Sequence, residues 1–142
     1  MFLSANIASM GFGLPAALAG QLAHPDRQVV CLTGDGGFGM LMADFTTAVR
    51  EKLPINVVVM NDGRLKNIKK EQARDGYPEF GVAFPNPNFA TFAETCGGIG
   101  FRVEEPDELE SAIAAAFASS LPAIVEVMVD PERMAASAKT ID

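Results

Sequence analysis

Two short apolar runs, each ending in an acidic turn, constrain this chain most. Val29-Val30-Cys31-Leu32-Thr33 enters Gly34-Asp35-Gly36-Gly37, and Val57-Val58-Val59-Met60 enters Asn61-Asp62-Gly63, with a helix-patterned stretch between them. A strand–helix–strand unit sets its strands parallel, so both turns emerge at one carboxyl edge of the sheet. Open α/β sheets bind ligands at that edge. A glycine turn exposing backbone N–H groups, beside oxygen ligands from two adjacent strand ends, suits a diphosphate bridged by a divalent cation.

The rest of the pattern extends this unit. Strands are expected at residues 28–33, 55–60, 99–103 and 123–129. Pro15 precedes a small apolar helix through residue 23, and Leu41, Phe45, Ala48 and Val49 recur at helical spacing, predicting one crossover helix over 40–52. A short helix over 65–72 leads into an extended loop, 73–87, holding Gly76, Pro78, Gly81, Pro85 and Pro87. Asn88 is placed to cap a helix carrying Phe89, Phe92 and Ala93, ended by Gly97-Gly98. Pro106-Asp107-Glu108 opens an amphipathic helix through Leu109, Ile113, Ala116 and Phe117. The expected fold is α/β, an open parallel sheet flanked by helices, in one domain over 1–130 with a polar tail at 131–142.

At 142 residues and 49% hydrophobic, the chain can fill one core, and it has no apolar run long enough to span a bilayer. Its first residues lack the basic region and cleavage pattern of a signal peptide, so the expected place is the cytoplasm. A formal charge of −7 argues against nucleic acid. Arg64, Lys66, Lys69 and Lys70 read either as a solvated helix face or as a cluster near an anionic ligand. Cys31 and Cys96 read as reduced thiols without metal-type spacing, and His24 as a turn residue. No Ser-His or Cys-His pair suggests a hydrolase triad. Phe2, Leu3, Ile7, Met10, Phe12 and Leu14 resemble core at the chain's abrupt start. They are expected to form an interface, in a piece of a longer polypeptide or one subunit of a homo-oligomer.

Gly34-Asp35-Gly36-Gly37-Phe38-Gly39 also spells G-x-G-x-x-G, and Asp62 stands near the spacing of a ribose-binding carboxylate. A Rossmann-type module for NAD or FAD therefore stays open. Against it, a carboxylate at Asp35 repels a bare pyrophosphate by about 4 kcal/mol per charge pair at ~4 Å and an effective dielectric near 20. An intervening cation reverses that sign. A third possibility is that Asp35 merely caps the following helix.

These residues resemble the thiamine diphosphate-dependent 2-oxo acid enzymes, in their carboxyl-terminal diphosphate-binding domain. The Gly34 to Met42 segment, the strand through Met60, and Ile68-Lys69-Lys70-Glu71-Gln72 look most like pyruvate oxidases and pyruvate:quinone oxidoreductases. Ser9-Met10-Gly11-Phe12-Gly13-Leu14-Pro15-Ala16-Ala17 is shared with acetolactate synthases, the alternative carboligase reading. The resemblance implies thiamine diphosphate held through Mg2+. Asp35, Asp62 and the Arg64 carbonyl would bind the metal; Gly34, Gly36, Gly37 and Leu65 would line the diphosphate. Met10 would prop the cofactor into a bent form, and the backbones of Ala8 and Met10 would meet its aminopyrimidine. Ile68 and Glu71 would lie near a pyruvate-like 2-oxo acid. Asp62 departs from the family, which usually has an amide there, and Asn61 is a rival contact.

The family's essential glutamate comes from an amino-terminal pyrimidine-binding domain, and FAD, where used, from a middle domain. Neither is found in these residues, so the chain alone is expected to be inactive and to bind cofactor weakly. A non-catalytic regulatory subunit that keeps the fold is a further alternative.

Overall fold

The structure, a computed structural model, describes residues 1, 3–4 and 6–132. Phe2 of the expected interface and 133–142 of the expected tail lie outside the described residues. Four strands form one parallel sheet: β1 (Val30–Gly34), β2 (Asn56–Asn61), β3 (Ile99–Val103) and β4 (Ala123–Met128), in the order β1-β2-β4-β3. In register, Gly34 stands beside Met60, Val59 beside Glu126 and Arg102 beside Glu126. The expected strands and parallel sheet are present, with β1 starting two residues later than the expected 28.

Apolar residues on both sides of the central strands explain why β2 and β4 occupy the middle. One layer packs α1 (Gly13–Ala23), α2 (Asp35–Leu41), α3 (Phe45–Arg50) and α5 (Phe89–Thr95) onto Cys31, Val57, Val59 and Ile124. Phe38 meets Phe89 edge-on there, with ring centroids 5.1 Å apart. The other layer sets α6 (Leu109–Ala118) on Val58, Val103 and Val125. On that side β1 lies bare, with Leu32 72% exposed.

The crossover corrects one expectation. Instead of a single helix over 40–52, α2 begins at Asp35, directly after the extended Gly34, and ends at Leu41 (φ −131°, ψ 16°). One 3-10 turn, Met42–Asp44, then re-aims the chain into α3. The break lets both Phe38 and Phe45 enter the core, while Leu41 turns outward. Leu14 is likewise core and not interface, whereas Leu3, Ile7, Met10 and Phe12 are exposed as expected.

The remaining elements follow their local signals. Asn88 Oδ1 accepts the Thr91 N–H at 2.8 Å and caps α5. Glu105 and Glu108 close a capping box before α6. α5 crosses β3 so tightly that a Cβ on Gly100 would sit 2.0 Å from the Ala90 carbonyl oxygen. α4 (Lys66–Arg74) stands on the carboxyl edge of the sheet, followed by a loop whose Ala83 bridges Arg64. Among the described residues no helix is long and apolar enough to cross a membrane.

Candidate cation and diphosphate site

The ends of β1 and β2 open into a cleft of about 720 Å³. Ala8, Met10, Gly34, Asp35, Gly36, Gly37, Asp62, Arg64, Leu65 and Ile68 all line it. Only Glu71 of the expected site residues is outside that lining; it sits exposed on α4. The adjacency of β1 and β2 brings this set together from three distant stretches of sequence. Ala8 adopts a left-handed backbone (φ 52°), with its N–H on the Ser4 carbonyl at 2.7 Å. A non-glycine residue held there stores about 1–3 kcal/mol of strain, a feature that gathers in ligand-contacting segments.

Asp35 is the best-held carboxylate of the cleft, 3% exposed at the first position of α2. Its Oδ1 accepts the Gly36 N–H at 2.8 Å. Its Oδ2 accepts the Gly63 N–H at 2.7 Å and Asn86 Nδ2 at 2.7 Å. Gly63 reaches it through a left-handed turn (φ 66°) that a side chain would strain. Asp62 is arranged differently. Its Oδ1 accepts the Arg64 N–H at 2.9 Å, and its Oδ2 pairs with Lys66 Nζ at 2.9 Å.

Behind Asp35 runs a buried polar chain that the sequence reading missed. Asn86 Nδ2 also donates to Asn61 Oδ1 at 2.9 Å, and Asn61 Nδ2 donates to Glu126 Oε1 at 2.7 Å. Glu126, fully buried on β4, further accepts Arg102 at 3.0 Å and the Phe89 and Ala90 N–H groups at 3.1 and 3.3 Å. Those last two are orphan donors of the first turn of α5. Asn61 is therefore engaged at both ends of its amide and does not line the cleft. The sequence held one signal for this: a lone glutamate inside Ala123-Ile124-Val125-Glu126-Val127-Met128, an otherwise apolar strand.

The basic cluster forms ion pairs. Arg64 contacts Glu79 at 3.1 Å and Glu132 at 3.4 Å, and Lys69 contacts the same two carboxylates at 3.2 and 3.4 Å. Glu132, in the expected tail, thus folds back on α4. Cys31 and Cys96 are free thiols; burial pushes Cys31 up to about 11.

The donor chemistry fits a hard cation. Asp35, Asp62 and Arg64 line one cleft; the carboxylates would offer hard oxygen ligands, and diphosphate oxygens would complete the shell. Among the described residues no three His, Cys, Asp or Glu side chains cluster as metal ligands. Gly36 is closely packed: a Cβ there would lie 2.7 Å from Met10 Cε and 2.8 Å from Leu65 Cδ2.

Residues 1–127 match the family described as "Thiamine pyrophosphate enzyme, C-terminal TPP binding domain". The chain belongs to this family. It is 42% identical over 130 residues to the Bacillus subtilis (strain 168) protein YdaP, described as thiamine pyrophosphate-containing, covering 92% of this chain and 23% of that protein. It is 38% identical over 116 residues to the acetolactate synthase large subunit of Haemophilus influenzae, covering 80% of this chain and 20% of that subunit. A solved structure, the thiamine diphosphate-dependent 4-hydroxybenzoylformate decarboxylase of Rhodococcus jostii RHA1, superposes with a TM-score of 0.79 at 31% identity, covering 85% of this chain and 23% of that one. The α/β fold is that of the family's thiamine pyrophosphate-binding domain. The chain spans about a fifth to a quarter of the length of these relatives.

Proposed function

We propose that this domain holds the diphosphate of thiamine diphosphate through Mg2+, as part of an enzyme that decarboxylates a pyruvate-like 2-oxo acid in the manner of pyruvate oxidases. The observation that carries this reading is the meeting of Asp35 and Asp62, from adjacent parallel strand ends, in one cleft within a chain of the thiamine pyrophosphate enzyme family. A bare dinucleotide would meet two carboxylates there without a bridging cation.

When bound, the cofactor would supply both the nucleophile for the 2-oxo carbon and, in its cationic ring, the sink for the electrons left when CO2 departs. The chain's own residues orient it. Asp35, Asp62 and the Arg64 carbonyl would hold Mg2+, beside the Lys66 Nζ that pairs with Asp62 Oδ2. Gly34, Gly36, Gly37 and Leu65 border the diphosphate, Met10 props the cofactor, and the Ala8 and Met10 backbones meet its aminopyrimidine. Ile68 borders the substrate from the cleft lining, and Glu71 from the exposed surface of α4 outside that lining. Such positioning converts cofactor binding into near-attack geometry.

Cofactor activation depends on a glutamate of the pyrimidine-binding domain. FAD belongs to the complete enzyme in the oxidase reading. The exposed Leu3, Ile7, Met10 and Phe12 suit contact with that domain or with a second copy. The likeness to an acetolactate synthase subunit favours a carboligase as the second reading. Calorimetry with thiamine diphosphate tests the proposal. Heat that appears with Mg2+ and vanishes with chelator is expected; equal heat with and without the ion would overturn it.

A further inference from the structure

The polar chain behind Asp35 has a direction, and the direction follows from Glu126. Its carboxylate accepts only, so Asn61 must turn Nδ2 toward it and Oδ1 toward Asn86. Asn86 must then present Nδ2, and its two hydrogens go to Asn61 Oδ1 and Asp35 Oδ2. Reversing either amide would set oxygen against oxygen. The polarity fixed at a fully buried residue of β4 therefore reaches the cleft two amides away.

The consequence falls on Asp35. A carboxylate oxygen has two lone-pair sites. Those of Oδ2 are filled by Gly63 N–H and Asn86 Nδ2, whereas Oδ1 takes Gly36 N–H alone of the three donors. We propose that Asn86 is a positioning residue for the cation: oriented by Glu126 through Asn61, its amide caps Asp35 Oδ2 and leaves Oδ1 as a single-oxygen ligand. A carboxylate restricted to one oxygen suits Mg2+, which demands octahedral geometry. Ca2+ accepts six to eight ligands and takes two-oxygen carboxylates readily. The chain thus tunes which divalent ion the site prefers. This inference rests on the functional reading above.

The test measures Mg2+ and Ca2+ affinities of the full chain with thiamine diphosphate present, together with the ion-free unfolding midpoint. In Asn86→Ala the Mg2+ affinity is expected to fall ~tenfold, with Ca2+ affected less, so that preference shifts toward Ca2+. The ion-free midpoint is expected to fall modestly, since Asp35 Oδ2 and Asn61 Oδ1 each lose a donor; the ratio of the two ion affinities, which a general loss of stability does not move, reads the positioning role. Glu126→Gln, where it folds, should shift the preference in the same sense. An unchanged ratio in Asn86→Ala, or equal weakening of both ions, overturns the positioning role while the functional reading stands. A parent that takes up neither ion even at saturating thiamine diphosphate overturns both.

Discussion

Lys66 Nζ lies 2.9 Å from Asp62 Oδ2, one helical turn on, while the other oxygen of Asp62 accepts the Arg64 N–H. The resembling enzymes usually carry an amide where Asp62 stands, and the added negative charge is met locally by this lysine. The pair is mostly shielded, with side chains 23% and 13% exposed. Asp62→Asn keeps an oxygen for Arg64 and removes the charge. Loss of this shielded pair should cost about 1–3 kcal/mol, and Mg2+ should bind more weakly once a charged oxygen is removed. Parallel ion titrations of parent and variant check this; identical affinities would mean that Asp62 does not touch the metal.

Gly100 has no room for a side chain. A Cβ there would lie 2.0 Å from the Ala90 carbonyl oxygen, so Gly100→Ala must push α5 away from β3. A loss of about 3 kcal/mol or more is expected in denaturant unfolding. A loss under about 1 kcal/mol would show that α5 slides freely.

Glu126 answers four donors in a fully buried position. Glu126→Leu leaves Asn61, Arg102 and two α5 N–H groups without their acceptor. The expected loss is about 3–5 kcal/mol, as for a broken buried pair. Denaturant unfolding measures it, and near-neutral stability would deny the network its structural role.

Cys31 supplies a pH dependence. Desolvation raises its thiol from 9.0 to about 11 in the folded chain. Below pH 9 both states keep the proton and this contribution is constant. Between 9 and 11 the unfolded thiol ionises first, so stability falls as pH rises, levelling above about 11. Cys96 is raised by the same cause and adds in the same sense. Cys31→Ala should flatten the alkaline fall in unfolding midpoint; an unaltered slope would assign it elsewhere.

How much of this was legible in the sequence follows from the physics of each signal. The β-branched run before Asn61, the Asn88 cap and the Pro106 start act through neighbours a few residues apart: β2 lies one residue on from its pattern, Asn88 caps α5, and Pro106–Glu108 forms a 3-10 turn leading into α6 at Leu109. The break at Met42–Asp44 was not legible, because Leu41 and Phe45 share a helical spacing and only packing decides which is buried. Asp35 and Asp62 were legible as neighbours because parallel pairing fixes where strand ends emerge. Asn86 was not: its partners, Asp35 and Asn61, are 51 and 25 residues away, and a lone asparagine between two prolines looks like any loop residue.

The most direct measurement is a crystal structure of the chain grown with thiamine diphosphate and Mn2+, with the ion located by its anomalous scattering. The account predicts one peak within coordination distance of Asp35 Oδ1, the Asp62 carboxylate, the Arg64 carbonyl and the diphosphate. An ion elsewhere, or a diphosphate bound with neither carboxylate on the metal, would contradict it.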